Sequence, residues 1–201
     1  MSGKRVQHYI PQFYLRGFTD PSVTDGKMPW LWMRTKESST IVRKAPKNLA
    51  AEIGYYAIEN ADGLDFVTVE NELAVIESRA AFALRKFLDG PVGHRKIEPD
   101  LATFVAWLAV RVPWFARAAE EARHGFLQKV AEGREPLPDD PDFSCSLVSV
   151  TTGEQRRFQL AEAVGAIKSG TWQAHLSKNQ LIDAMRVQAW YFRFQHFPTL
   201  Q

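Results

Sequence analysis

"LATFVAWLAVRVPWFA", residues Leu101 to Ala116, is the most apolar stretch of the chain. A helix that spans a bilayer needs about 20 apolar residues, and this stretch is shorter and is interrupted by Arg111 and Pro113. We therefore interpret it as part of a buried core helix that begins near Pro99 and runs to about Glu132. A proline inside a helix removes a backbone hydrogen bond, so a kink is expected near Pro113.

A second long helix is predicted immediately upstream. From about Thr68 the apolar residues recur with a period of 3.6 and form one continuous stripe: Val69, Leu73, Ile76, Ala80, Leu84 and Phe87. Gly90-Pro91 is a typical helix end. Two long helices with apolar faces predict a helical core.

The residues before Thr68 predict one short helix and two β-hairpins. The helix runs from about Pro11 to Phe18 and is expected to bury Tyr14, Leu15 and Phe18. "PWLWMRT" and "TIVRKA" are rich in aromatic and β-branched residues and predict one hairpin. "YYAIENADGLDF" predicts the other, with Asp62-Gly63 as its turn.

The C-terminal third is predicted to contain a loop, strands and helices. "REPLPDDPD" is typical of an acidic, proline-rich loop, "SCSLVSV" of a strand, and two helical segments follow that break near Gly170. In "WYFRFQHF", Trp190, Phe192 and Phe194 alternate with other residues, which predicts a half-buried terminal strand.

These patterns predict an α+β fold that is mainly helical: a helical core with a small antiparallel sheet from the N-terminal hairpins, with the C-terminal strand as a candidate addition. The length of 201 residues suits a single domain. We divide it into an N-terminal part (1–67), the long core helices (68–135) and a C-terminal part (136–201).

Composition narrows the classes of function. A formal net charge of +2 carries no clear signature of a polyanion-binding protein. The single cysteine, Cys145, excludes an internal disulfide and suits a reducing cytoplasm. The first residues are polar and basic with no apolar segment behind them, so no signal peptide is expected. We predict a cytoplasmic protein that does not enter a membrane.

No metal or cofactor is predicted. The five histidines show no H-x-x-x-H or H-x-H spacing, and the cysteine has no partner. The chain also has no G-x-S-x-G, G-x-x-x-x-G-K-[ST] or G-x-G-x-x-G motif, which disfavours a standard hydrolase elbow, an NTPase and a dinucleotide enzyme.

Arg111 is the most informative charged residue. A guanidinium in an apolar helix needs a carboxylate or an aromatic face, because an unpaired buried charge is very costly. Glu70 and Glu77 lie two turns apart on the preceding helix, so one face can present either to Arg111. We predict an Arg111–Glu77 or Arg111–Glu70 pair. The pair is either a polar contact between helices, which we favour, or the wall of a site that includes His8 and Glu52.

Several motifs together resemble one known family. "HYIPQFYLRGF" resembles H-x-x-P-x-x-Y-L-x-x-F, the hallmark of a widespread, mainly bacterial domain of unknown function, number 4238. "PKNLAAEIGYY" is similar to its N-x-A-x-E segment with an aromatic pair, "VENELAVIE" to its glutamate-bearing helix and "LAVRVP" to its R-x-P segment. The resemblance covers the first 120 residues well and the remainder loosely. Family members usually continue into an S-D-x-P-like segment, so this chain is expected to lack the family's last portion.

The resemblance implies no reaction, because the family's activity is not established. We favour a non-catalytic binding or regulatory protein, bacterial or phage-borne, that contacts a protein partner or a second copy through the C-terminal strand. The alternative is a hydrolase acting on a phosphorylated or nucleic-acid substrate. Its candidate catalytic residues are His8, Gln12, Glu52, Glu77 and Arg111, with His8 before a helix N-terminus, where anions are favoured.

A weaker binding signal lies on the first hairpin. Basic residues alternate there with tryptophans, and the candidates are Trp30, Trp32, Arg34, Arg43 and Lys44. Such a pattern is typical of single-stranded nucleic-acid binding. It is also typical of a strand with one dry and one wet face, and we favour that interpretation.

Overall fold

The computed structural model describes residues 6–20, 29–36, 38–92, 95–136 and 144–197. The chain forms two compact units, the first made of Met1–Val112 and Met185–Gln201 and the second of Pro113–Ala184. The single-domain division made from the sequence stays a prediction. The predicted acidic loop, residues 134–142, lies mostly outside the described residues.

Helices dominate the described chain. The helices are α1 (Gln12–Arg16), α2 (Thr68–Asp89), α3 (Pro99–Val110), α4 (Pro113–Ala131), α5 (Leu160–Lys168) and α6 (Lys178–His196). The strands are β1 (Val6–His8), β2 (Leu31–Arg34), β3 (Ile41–Lys44), β4 (Ala51–Ile53), β5 (Ile58–Asn60), β6 (Gly63–Asp65), β7 (Ser144–Ser149), β8 (Gln155–Gln159) and β9 (Trp172–His175). The fold is α+β and mainly helical, as the sequence predicted.

In the first unit, small antiparallel strand pairs accompany two packed helices. β1 pairs with β4, β2 with β3, and β5 with β6. A core cluster joins Ala80 and Ala83 of α2 to Leu101 and Phe104 of α3. The apolar stripe of α2 therefore faces the core helix, as its period of 3.6 predicted.

The start of α2 is fixed by a side chain from the preceding hairpin. The Asp65 carboxylate accepts hydrogen bonds from the Val67 and Thr68 backbone N–H groups at 2.7 and 3.1 Å and from the Thr68 hydroxyl at 2.5 Å. The bond from the Thr68 side chain, followed by the two backbone bonds, lowers the pKa of Asp65. A carboxylate at this end also complements the helix dipole.

Both predicted N-terminal hairpins are confirmed, with one correction. In the first, Trp32 of β2 lies opposite Arg43 of β3. In the second, Asn60 pairs with Gly63, so the turn residues are Ala61 and Asp62 and not Asp62-Gly63. Gly63 takes the first position of β6 with a φ of 113°, which disfavours any side chain there.

The short N-terminal helix differs from the prediction in what it buries. α1 ends at Arg16, and Phe18 is 62% exposed. Phe13 and Tyr14 are the side chains that pack against the core cluster of α2 and α3. The prediction that Phe18 is buried is wrong. Its ring lies edge-on to Tyr14, with centroids 5.3 Å apart, but beyond the end of α1 it stays mostly exposed.

The long core helix is broken instead of kinked. α3 ends at Val110 and α4 begins at Pro113. Arg111 follows the last residue of α3 with φ −85° and ψ 9°. Proline disfavours the helical conformation of the residue before it, which explains why the break lies here.

The second unit contains a three-stranded antiparallel sheet in the order β8-β7-β9. The strand predicted from "SCSLVSV" is confirmed as β7. Its buried residues Cys145 and Leu147 pack in one cluster with Leu127 of α4 and with Ala163 and Ile167 of α5. Cys145 is a free, buried thiol.

The terminal strand predicted from "WYFRFQHF" is wrong, since residues 190–196 belong to α6. Trp190 stacks on Phe194, with ring centroids 5.7 Å apart and planes 10° apart, and Met185 and Ala189 are buried one turn apart. Alternating aromatics also satisfy the i, i+4 spacing of a helix, so a short run does not separate the two periods. The partner or homodimer contact predicted through that strand lacks the strand on which it depended.

Within the described residues, no single helix is both long and apolar enough to cross a membrane. α3 and α4 pass such a test of length and composition only as a pair taken across their break.

Candidate functional site

Arg111 is buried, with 2% of its surface exposed, and its guanidinium binds three separate segments. Nε donates to the Tyr56 hydroxyl at 2.9 Å, Nη1 to Glu77 Oε1 at 2.8 Å and Nη2 to the His8 backbone oxygen at 2.7 Å. The guanidinium carbon also lies 5.6 Å from the Tyr56 ring centroid. We call these four residues the Arg111 cluster.

The ion pair between α2 and Arg111 was predicted from the sequence. Of the two candidates, the structure contains Arg111–Glu77. Glu70 lies two turns earlier on α2 and lines the same pocket as Glu77, described below. The buried charge thus has both a carboxylate and neutral hydrogen-bond acceptors, as a charge with little access to water requires.

Tyr56 is the second member of the cluster and is completely buried. Burial raises the pKa of its hydroxyl to about 12, against the opposing effect of the nearby Arg111 charge. The hydroxyl therefore stays neutral at physiological pH. It acts as the acceptor for Arg111 Nε and not as a second negative charge.

Gln7 is a site residue that sequence reasoning missed. It is completely buried; its Nε2 donates to the Phe66 backbone oxygen at 2.9 Å, and its Oε1 accepts from the Tyr56 backbone N–H at 2.6 Å. Glutamine is mostly a surface residue. No signal in the local sequence marked this one as interior.

His8 is placed by β1 and contributes to the cluster mainly through its backbone. Its ring Nε2 lies 3.2 Å from the Lys47 backbone oxygen. A carbonyl oxygen only accepts, so Nε2 carries a proton and Nδ1 is the acceptor in the neutral ring. The expected anion site at the following helix loses its basis, because α1 has only five residues.

A pocket of about 210 Å³ opens beside the Arg111 cluster. Its lining combines polar and apolar side chains: His8, Pro11, Gln12, Phe13, Glu70, Leu73, Ala74, Glu77 and Arg111. We call it the His8 pocket. Four of the five candidate catalytic residues predicted from the sequence thus surround one cavity.

The fifth candidate, Glu52, is not among the described residues that line the His8 pocket. It lies on β4 opposite Gln7 and is exposed. Burial, followed by the Glu52 charge, raises the pKa of Tyr9. The pKa of Tyr55 is also raised, mainly by burial and then by its neighbours, Glu52 among them. Glu52 therefore acts electrostatically on a tyrosine pair.

The five weak binding candidates of the first hairpin do not share one face. Arg43 lies over both Trp30 and Trp32, with its guanidinium carbon 5.0 and 5.5 Å from their ring centroids. Arg34 lies on the Trp32 side, where its Nε donates to the Ser38 backbone oxygen. Lys44 pairs with Leu31 across the strands, so its side chain points to the opposite, half-buried face. The role of these residues stays a prediction.

No group of three or more histidine, cysteine, aspartate or glutamate side chains is arranged to hold a metal ion among the residues that the structure describes.

Comparison with known families identifies the chain. The family model described as "Protein of unknown function (DUF4238)" matches residues 6–193. The chain belongs to the DUF4238 family. The match reaches well past the first 120 residues, which had carried most of the resemblance in the sequence. No curated protein and no solved structure matches the DUF4238 chain.

Proposed function

We propose that this DUF4238 protein is a non-catalytic binding or regulatory protein and that the His8 pocket is its ligand site. The observation that carries the proposal is the state of Arg111. All three nitrogens of its guanidinium donate to protein acceptors, and its side chain is almost completely buried.

A catalytic arginine needs donors directed at the substrate or at the charge that develops on it. Arg111 directs its donors at Tyr56, Glu77 and His8 instead. A buried charge held in this way fixes the segments around it. The arrangement supports a structural role for the Arg111 cluster, in which it shapes the pocket, and not a catalytic role.

The size of the pocket supports the same conclusion. Pockets for drug-sized ligands usually occupy about 300–1,000 Å³, whereas the His8 pocket has about 210 Å³. A single side chain or small head group fits this space better than a nucleotide. We therefore propose a ligand presented by a protein partner.

A cytoplasmic location in a bacterial or phage-infected cell belongs to the same proposal. It is supported by the mainly bacterial distribution that the resemblance implies and by Cys145, a free thiol that suits a reducing compartment.

The hydrolase alternative has one observation in its favour, since His8, Gln12, Glu77 and Arg111 line one pocket. The Arg111 nitrogens in that pocket already donate to Tyr56, Glu77 and the His8 backbone, so these bonds do not serve a phosphate. This arrangement favours binding over hydrolysis of a phosphorylated substrate.

The test is an activity assay on purified protein with p-nitrophenyl phosphate, bis-p-nitrophenyl phosphate and single- and double-stranded DNA and RNA. We expect no hydrolysis that depends on His8. Hydrolysis by the wild-type protein that is lost in His8→Ala, with an unchanged melting temperature, would establish the enzyme instead.

A further inference from the structure

We propose that the hairpin formed by β2 and β3 binds single-stranded nucleic acid on its solvent-facing side. This inference goes beyond the proposed function, because it concerns a second surface and does not depend on the His8 pocket. We call this side of the hairpin the Trp32 face. Its members are Trp30, Trp32, Arg34, Ile41 and Arg43.

The first argument is that the Trp32 face carries large apolar side chains that nothing in its own hairpin covers. The strand register places Trp32 opposite Arg43 and Arg34 opposite Ile41, all on one side. Trp32 is 57% exposed and Ile41 is 59% exposed. The half-buried side of the hairpin carries three other apolar residues: Leu31, Met33 and Val42. A strand with one dry and one wet face explains those three residues but not a tryptophan on the wet face.

The second argument is charge. Residues 29–48 contain five basic residues and one acidic residue, a formal net charge of +4, whereas the whole chain carries +2. The basic residues are Arg34, Lys36, Arg43, Lys44 and Lys47. All five are exposed, and none of them forms an ion pair with a carboxylate of the described residues. A local excess of exposed positive charge attracts a polyanion.

The third argument is the arrangement of the rings and guanidinium groups. Trp30 and Trp32 lie edge to face, with ring centroids 5.0 Å apart and planes at 82°, and the Arg43 guanidinium lies over both. The Arg34 Nε donates to the Ser38 backbone oxygen, while its two terminal nitrogens make no hydrogen bond with the described residues. The face therefore offers an exposed indole ring for a base and two guanidinium groups for phosphates, the combination that binds single strands without sequence preference.

The base distinguishes this ligand from other anionic partners. An acidic peptide or an anionic membrane surface satisfies the positive charges but gives the Trp32 ring no flat ring to stack on. In a double helix the flat faces of the bases are covered by their neighbours, so the indole ring cannot reach them. Single-stranded nucleic acid supplies both an accessible base and a phosphate in every nucleotide.

The experiment measures the fluorescence anisotropy of a labelled oligothymidylate of about 12 nucleotides, a length typical of single-strand binding sites, titrated with the purified protein. The comparison probes are an abasic oligomer with the same backbone, a DNA duplex of the same length, polyglutamate and phosphatidylserine vesicles. We expect the oligothymidylate to bind most tightly. Its log affinity should fall with log salt with a slope of about −2, the value for three phosphate contacts, by Arg34, Lys36 and Arg43.

Two variants test the two kinds of contact. Trp32→Ala removes the stacking ring and should weaken the binding of oligothymidylate by about tenfold. Trp190→Ala removes a ring of α6 that is 65% exposed; it is the matched control and should bind as the wild type does. Arg34→Gln removes one phosphate contact and should make the salt slope shallower by about 0.7.

The outcomes separate this inference from the proposed function. No binding of oligothymidylate, or equal binding of the abasic oligomer or of polyglutamate, would overturn the proposal, because charge alone would then account for any binding. Tighter binding of the duplex or of the vesicles would overturn it in favour of that partner. These comparisons need only the wild-type protein, so they hold even if Trp32→Ala fails to fold. None of them bears on the His8 pocket, which the hydrolysis assay tests.

Discussion

Arg111 can lie in the interior because the fold brings three segments to its guanidinium, and each segment supplies one hydrogen-bond acceptor. β1 supplies a backbone oxygen from His8, α2 supplies Glu77, and the turn before β5 supplies Tyr56. The sequence alone indicated that this arginine needs a carboxylate or an aromatic face, because it lies in the most apolar stretch of the chain. It did not indicate the tyrosine hydroxyl or the carbonyl group, which depend on how distant segments meet.

The ion pair is the first feature to test. Glu77→Gln keeps the shape of the side chain but leaves the buried Arg111 charge without its counter-ion. We expect the free energy of unfolding to fall by about 2–3 kcal/mol, measured by urea denaturation. The control is Glu72→Gln, which breaks an exposed pair with Arg186 and should cost less than about 1 kcal/mol. Equal losses of unfolding free energy in the two variants would mean that the Glu77 pair stabilises the protein no more than an exposed ion pair does.

Tyr56 makes stability depend on alkaline pH. Burial raises the pKa of its hydroxyl from 10.0 to about 12 on folding. The resulting stabilisation is fully present below pH 10 and is lost as the pH rises towards 12, because the unfolded chain releases the proton first. We expect the free energy of unfolding to fall over this window. In Tyr56→Phe the free energy of unfolding should fall less steeply over this window. The slopes of the two proteins should differ by up to about 1.4 kcal/mol per pH unit. Parallel curves for the two proteins would contradict this assignment.

At the scale of the element, α1 shows how a segment too short to be stable alone is held by its neighbours. Isolated helices of fewer than about 12 residues are marginal in water, and α1 has five residues. Its order comes from Phe13 and Tyr14, whose rings lie 5.2 and 5.9 Å from the Phe104 ring. The sequence predicted the existence of this helix but not which of its rings pack on the core. The face that so short a helix turns inward is set by the elements on which it packs.

A pair of phenylalanines tests this assignment. Phe13→Ala removes a ring packed on the core and should lower the free energy of unfolding by about 2–4 kcal/mol. Phe18→Ala removes a ring that is mostly exposed and lies edge-on to Tyr14, so its cost should stay below about 1 kcal/mol. Thermal or urea unfolding measures both. A larger loss of unfolding free energy for Phe18→Ala than for Phe13→Ala would support the burial of Phe18 predicted from the sequence.

At the scale of the whole molecule, the amino-terminal segment is built into the first unit by contacts between residues far apart in sequence. Gln7 bonds to Phe66 across 59 positions, and the His8 backbone accepts from Arg111 across 103. Closing such loops costs conformational entropy that grows only slowly with their length. The few buried hydrogen bonds that they bring together can therefore hold a segment near the chain terminus.

Amide exchange tests this placement. The Tyr9 amide, which donates to the Ala50 oxygen at 2.8 Å, should exchange at least about tenfold more slowly than the amides of β2 and β3. No residue of those two strands, which the structure describes in full, is buried. Fast exchange at Tyr9, or protease removal of residues 1–18 from a body that stays folded, would show that this segment is not part of the core.

The sequence by itself determined the elements whose signals are local. It predicted α2 from its apolar stripe, the two N-terminal hairpins from their composition and turn residues, and the need of Arg111 for a carboxylate partner. Periodicity and turn chemistry act over a few neighbouring residues, so they can be read without knowing the rest of the fold.

The tertiary structure decided which partners meet. It selected Glu77 for Arg111, brought Gln7 into the interior, made the aromatic C-terminal run a helix and gathered the lining of the His8 pocket. The contacts of Arg111 with Glu77 and His8 span 34 and 103 positions. Such choices depend on which apolar faces cover one another, and no local pattern carries that information.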